Sequence, residues 1–367
     1  MQDEPEVPGS ESTFPSLLDG AVGAPEAVTE DLESCRRIAA DPSRSIEERL
    51  EAYEDLIASE VGDTRLSRAR NLERENGIRQ LLLKFEGGNP TGTQKDRIAF
   101  AQVHDAMRRG FEAVAVATCG NYGAAVGFAA GLAGMRCVIH IPEAYRTRRL
   151  DEMIATGSEI VRVPGDYEAA VETSKQAAEK HELYDANPGG ANTLMQLVAY
   201  GGIANEIYDE LRDAPAAVAV SVSNGTTLAG IHRGFATLYR RGKTSRIPRI
   251  IAGSSHGKNP IVHSYLKGYD ECRDLDPSTV KETEVNEPLI NWHSFDGDWA
   301  LDAIRSSGGF ADNASDRQML KQARILKERE GLSVLPASTA GLVVMLEHHA
   351  KSPLPGDRYV AVLTGRR

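Results

Sequence analysis

The chain of 367 residues is short of cysteine, of aromatic residues and of long apolar runs. No stretch approaches the roughly 18 consecutive apolar residues that a membrane span requires, so no membrane association is expected. Its four cysteines, Cys35, Cys119, Cys137 and Cys272, stand far apart and form no CxxC pair. That pattern excludes a zinc knuckle and a disulfide framework, leaves no metal site expected, and points to a reducing, cytoplasmic setting. A basic stripe is also missing. Lys and Arg number 42 against 53 Asp and Glu, a net charge of −11, so nucleic acid is not expected as a partner. The acid is unevenly spread: residues 1–35 hold nine acids and no Lys or Arg. Such a leader lacks the basic and apolar segments of a secretory signal. Two nucleotide signatures are absent as well. There is no GxxxxGK[ST], and no GxGxxG follows the first apolar strand, which argues against a Rossmann dehydrogenase.

What is present reads as alternation. Residues 1–28 combine Pro, Gly, Ser and acids, and are expected to form a flexible acidic tail. An arm packed on a partner subunit is the other reading of that stretch. Residues 29–60 carry helical spacing broken near Asp41-Pro42-Ser43. Apolar runs then appear at 81–85, 113–118, 137–141, 160–163, 218–222, 250–252 and 359–363. Helical stretches at 122–133, 146–156, 167–181, 194–212 and 226–241 lie between most of them. Short apolar runs alternating with helices predict an α/β protein with largely parallel sheets covered on both faces. Residues 270–298 are polar and strand-poor, and read as a surface excursion.

Four places carry candidate chemistry. In the stretch from Glu86 to Arg97, glycine-bearing turns and hydroxyl residues lead to Lys95 at the mouth of a helix. A lysine partly stripped of water there has a lowered pKa and becomes a nucleophile. The same residues also suit an ordinary capped helix. Thr118-Cys119-Gly120-Asn121-Tyr122 ends a strand and opens a small-residue helix. Its free N–H groups would receive a carboxylate, or Asn121 would simply cap the helix. Ser223-Asn224-Gly225-Thr226-Thr227 is a hydroxyl-rich turn at another helix start, suited to a phosphate. Thr364 follows the last apolar strand, at the edge where α/β sheets bind ligands.

In order and spacing these segments resemble the fold-type II pyridoxal 5′-phosphate enzymes, and within them the threonine synthases, over roughly residues 62–367. Gly62-Asp63-Thr64-Arg65-Leu66 is similar to the opening G-[ND]-T-P-L. Lys84-Phe85-Glu86, Asn89-Pro90-Thr91-Gly92 and Lys95-Asp96-Arg97 resemble K-x-E-x-x-N-P-T-G-S-F-K-D-R. Thr118 to Asn121 resembles S-S-G-N, Leu335 to Ala340 resembles E-P-A-S-A-A, and Leu363-Thr364-Gly365 resembles a terminal L-T-G.

The resemblance implies a fold of two open α/β domains, like the tryptophan synthase β subunit, with pyridoxal 5′-phosphate in the cleft. It implies a large domain of residues 29–98 and 201–367, a small mobile domain of 99–200, and a homodimer. Lys95 would carry the cofactor as a Schiff base and then act as general base. Asn121 would bind the ring hydroxyl, Ser223, Asn224, Gly225, Thr226 and Thr227 the phosphate, and Thr364 would face the ring nitrogen. Thr118, Cys119, Gly120, Asn121 and Tyr122 would receive the substrate. The implied activity is a lyase or transferase reaction at the β or γ carbon of an amino acid, such as O-phosphohomoserine to threonine. Replacement or elimination on serine, O-phosphoserine or O-acetylserine stays open. So does a cofactor-binding regulatory protein without turnover. The chain departs from the threonine synthases at Gln94, at Leu335, and at Gly190, where an arginine is usual. Arg146, Arg148 and Arg149 are candidates to supply the missing cation.

Overall fold

A computed structural model describes residues 26–118 and 120–367, residues 26–29 by backbone only. Two helices come first, α1 (Glu26–Ala40) and α2 (Ile46–Glu60). The tail expected over 1–28 thus ends inside α1, and residues 1–25 lie outside the described residues. Ser45 starts α2 with a capping box: its hydroxyl accepts from the Glu48 N–H, and the Glu48 carboxylate accepts from the Ser45 N–H.

The first sheet begins with β1 (Leu66–Arg68), α3 (Arg70–Asn76) and β2 (Leu81–Phe85), and α4 (Lys95–Arg108) leads out of it. The second sheet follows as β3 (Ala113–Ala117), α5 (Asn121–Leu132), β4 (Arg136–Pro142), α6 (Leu150–Ala155), β5 (Glu159–Val163), α7 (Tyr167–Lys180) and β6 (Tyr184–Asp185). Helix α8 (Thr193–Leu211) returns to the first sheet, which continues with β7 (Ala217–Ser221), α9 (Thr226–Arg240), β8 (Arg249–Ser255), α10 (Pro260–Lys267), α11 (Gly297–Ser306), β9 (Phe310–Ala314), α12 (Asp316–Ile325), α13 (Ala340–Lys351) and β10 (Tyr359–Leu363).

The larger sheet runs β1-β2-β10-β7-β8-β9, parallel except for β1. The smaller runs β5-β4-β3-β6 and is all parallel. The inner strands read AVAVA, AVAVS and YVAVL and are buried at every position. That is why they appear as apolar runs and not as alternation: helices cover both faces. The domain limits expected at 98/99 and 200/201 fall inside α4 and α8, so the backbone is continuously helical at both.

The surface excursion expected at 270–298 holds over residues 270–284, which are largely exposed, and fails beyond them. Leu289, Asn291, Ser294 and Asp296 are buried, and residues from Pro277 to Trp292 wall the central cavity. Polar composition hid this, because the segment's burial rests on hydrogen bonds more than on apolar side chains. Among the described residues no helix is long and apolar enough to cross a membrane, and no cluster of His, Cys, Asp or Glu could hold a metal.

Candidate active site

The strands β2, β3, β7 and β10 all deliver their following residues to one cavity of about 440 Å³. Its lining includes Lys95, Thr118, Gly120, Asn121, Tyr122, Ser223, Asn224, Gly225, Thr226, Thr227 and Thr364. Every expected site residue is therefore at one place, except Cys119, which lies outside the described residues.

Lys95 is the first residue of α4. The loop before it is locked by its own side chains. Asn89 donates to the Glu86 carbonyl and accepts from the Gly62 N–H, and Asp96 accepts from the Thr91 N–H and hydroxyl. The Gln94 N–H donates to the Thr364 carbonyl at 3.0 Å, which ties Lys95 to the end of β10. The Lys95 Nζ lies 5.5 Å from the centre of the Tyr122 ring and 6.0 Å from that of Tyr200. Removal from water pushes the amine down to about 8, against the negative charge of Asp296. Burial also pushes the neighbouring Asp96 up to about 7, against its bonds from Thr91.

Behind the lysine lies a buried set of paired charges. Arg97 binds the Glu86 carboxylate at 2.5 and 2.9 Å and the Glu206 carboxylate at 2.6 and 2.8 Å. Lys84 donates to Glu206 and to the Thr64 carbonyl, each at 2.5 Å. Burial would raise Glu206, but Arg97 and then Lys84 hold it down at about 2. Two cations and two anions cancel, which is the condition for burying charge here.

The start of α5 is capped from within. The Thr118 hydroxyl accepts from the Gly120 and Gly123 N–H groups at 3.0 Å. Tyr122 presents only its ring to the cavity, because its hydroxyl donates to the Ala186 carbonyl at 2.6 Å and accepts from Gln102. Asn121 is oriented by Arg149, one of the three candidate cations. The Arg149 guanidinium donates to the Asn121 Oδ1 at 2.9 Å and to the Thr91 carbonyl at 3.0 Å. Arg149 stands where a wider groove of about 1390 Å³ meets the cavity, and both are lined by Gly120, Asn121, Tyr145 and Leu335. Arg146, Arg148 and Arg149 all line the groove and not the cavity, and Arg149 alone reaches the cavity wall, through its bond to Asn121. At Gly190 a Cβ would stand 2.4 Å from the Asp185 carboxylate, so a side chain there requires that carboxylate to shift.

The loop 223–227 is held from the supposed excursion. Asn259 donates to the Ser223 carbonyl, Asn291 to the Asn224 Oδ1, and the Asp296 N–H to the Asn224 carbonyl. Gly225 has φ +100°, and a Cβ there would lie 2.7 Å from the Asp296 carbonyl, so only glycine makes this turn. The first N–H groups of the 15-residue helix α9 have no upstream carbonyl and face the cavity with the Thr227 hydroxyl. The Tyr200 hydroxyl is fully buried, meets no partner at full hydrogen-bond geometry, and feels the Thr227 hydroxyl beside it. Sequence reading missed Tyr200, Asp296, Asn259 and Asn291. No local pattern marks them, since each acts across the fold.

Comparison with known proteins agrees with this geometry. A family model described as pyridoxal-phosphate dependent enzyme matches residues 57–365. The chain is 32% identical over 309 residues to a threonine synthase of Methanocaldococcus jannaschii, covering 83% of this chain and 74% of that one. It is 30% identical over 307 residues to a threonine synthase of Bacillus sp. (strain ULM1), covering 83% and 82%. The serine racemase structure from Dictyostelium discoideum superposes with a TM-score of 0.70 at 17% identity, over 87% of this chain and 97% of that one. That last likeness concerns the fold. The residues present fit a pyridoxal phosphate group: a desolvated amine, and a glycine turn whose N–H groups and hydroxyls line the same cavity.

Proposed function

This chain belongs to the pyridoxal-phosphate dependent enzyme family, and on that premise we propose that it eliminates or replaces a leaving group at the β or γ carbon of an amino acid, in the manner of a threonine synthase. The observation that carries the reading is the Lys95 amine, desolvated near two tyrosine rings in a cavity that the 223–227 loop also lines. Pyridoxal phosphate, when bound, supplies an electron sink for negative charge at the substrate α carbon.

This chain's residues do the rest. Ser223 to Thr227 hold the phosphate through N–H groups and hydroxyls. Asn121 turns its Nδ2 to the ring oxygen, because Arg149 already donates to its Oδ1. Thr364 offers the ring nitrogen a neutral hydroxyl. Lys95 Nζ, with its pKa near 8, takes the proton from the substrate α carbon and returns it later. The N-terminus of α5 receives the substrate carboxylate at Asn121 and Tyr122, since Thr118 already accepts from the Gly120 and Gly123 N–H groups. Arg149 brings a cation to that end of the cavity, which supports a substrate whose leaving group is anionic, O-phosphohomoserine first and O-phosphoserine second.

Two measurements test this. Lys95→Ala is expected to abolish the visible band and the borohydride-stable attachment of the cofactor. In the unaltered chain, the rate of cofactor attachment at saturation should rise with pH through about 8 and then level, since only the neutral amine attacks. A product panel on O-phosphohomoserine, O-phosphoserine, serine and threonine then names the substrate. Phosphate release from O-phosphohomoserine without threonine would sink the threonine synthase reading while leaving the cofactor in place.

A further inference from the structure

The loop read as a phosphate cradle is backed by a buried acid. Asp296 is 2% exposed, and its Oδ2 accepts from the Thr226 hydroxyl at 2.5 Å. Its other partner is the Gly189 N–H. The charged groups facing it are Lys175 of α7 and Lys95 of α4. Lys175 donates to the Gly189 carbonyl at 3.3 Å and sits 4.8 Å from the centre of the Phe295 ring. Neither lysine bonds to Asp296 among the described residues. Burial pushes the carboxyl upward, against its bond from Thr226.

One hydroxyl has one proton. As the side chains stand, the proton of Thr226 points at Asp296, which leaves oxygen lone pairs toward the cavity. A phosphate placed on the N-terminus of α9 would meet those lone pairs, with a carboxylate directly behind them. Two anions would share one donor, in a place where water cannot screen them.

We propose that Asp296 is the proton-holding residue of the phosphate site, and that the cofactor's phosphate binds together with one proton taken from solvent. The proton settles on a carboxylate oxygen of Asp296. The Asp296 O–H then donates to the Thr226 Oγ1, and the Thr226 O–H turns to donate to the phosphate. No bond is made or broken apart from that protonation. The inference rests on reading 223–227 as the phosphate cradle. It adds a titrating residue that touches the phosphate only through Thr226, so Asp296 is a positioning residue and not a catalytic one.

The test uses the full chain carrying Lys95→Ala, so that amine titration does not enter. Binding of pyridoxine 5′-phosphate is followed by calorimetry from pH 7 to 9, where the free phosphate (second pKa about 6) is already mostly dianionic. Pyridoxine serves as the control for the ring's own titration. With Asp296 present, affinity for the phosphate compound relative to pyridoxine should fall about tenfold for each pH unit, the slope of one proton taken up. With Asp296→Asn that slope should vanish, and binding at pH 9 should become the tighter of the two. Thr226→Val, which removes the relaying hydroxyl, should also flatten the slope, and it serves if Asp296→Asn does not fold by circular dichroism. An unchanged slope in the folded variants overturns the proposal. Equal binding of pyridoxine and its phosphate at every pH overturns the cradle reading, and the proposal with it.

Discussion

At the scale of single residues, Arg149 has the sharpest consequence. A guanidinium has only donors, so its bond to Asn121 fixes which end of that amide faces the cavity. The side chain is 17% exposed and also pairs with Glu152. Arg149→Met should therefore leave the fold intact and let the amide turn over. The expected result is a changed absorption spectrum of the bound cofactor, whose ring oxygen loses its oriented donor, and a raised KM for an anionic substrate. Arg149→Lys should restore part of the KM and little of the spectrum, since a lysine cannot reproduce the planar two-point contact. An unaltered spectrum in Arg149→Met would show that Asn121 is oriented by something else.

At the scale of elements, the paired charges of Lys84, Glu86, Arg97 and Glu206 join β2, α4 and α8. Removing one partner leaves a buried charge uncompensated, at a cost of about 3–5 kcal/mol. Glu206→Gln should accordingly lower the unfolding free energy by that order, read from urea titration, and loosen α8 first in hydrogen exchange. The pH dependence has a definite sign. Glu206 is held at about 2 in the folded chain, below its ordinary carboxyl value of about 4.3 in the unfolded one. Its contribution is complete above pH 4 to 5 and is lost as pH falls toward 2. The variant's urea midpoint should therefore fall less steeply than the unaltered chain's over that window.

The same cluster marks how far sequence reading reaches. Lys84, Glu86 and Arg97 fall within one short motif and were legible beside Lys95. Glu206 sits in the middle of α8, with nothing local to mark it. Strands β2 and β10 were legible to the residue, β10 because burial on both faces makes it an unbroken apolar run, and β2 because only Lys84, buried against Glu206, interrupts one. Strand β9, Phe310–Ala314, was not, because FADNA mixes exposed acid with small residues at a sheet edge. The wall at 277–292 was misread for a related reason. Its order comes from asparagine and serine bonds such as Asn291 to Asn224, which leave no periodic trace.

At the scale of the whole molecule, the site is a meeting of four strand ends, and one of those strands occupies an unusual place in time. Strand β10 lies in the middle of the larger sheet, with Tyr359 beside both Leu81 and Ala217. Without it, β1 and β2 have no bond to β7, β8 and β9. During synthesis the first half of that sheet therefore waits, with apolar strands uncovered, until nearly all the sequence above has left the ribosome. Pairings so distant along the chain form slowly, because loop closure precedes any reward. In pulse-labelled hydrogen exchange during refolding, the amides of β2 should gain protection together with those of β10, and those of β7 and β8 no later. Earlier protection of β2 would disprove this order. The exposed interval makes the newly made chain a natural client for chaperones, and it ends only when the strand that carries Thr364 slides into its slot.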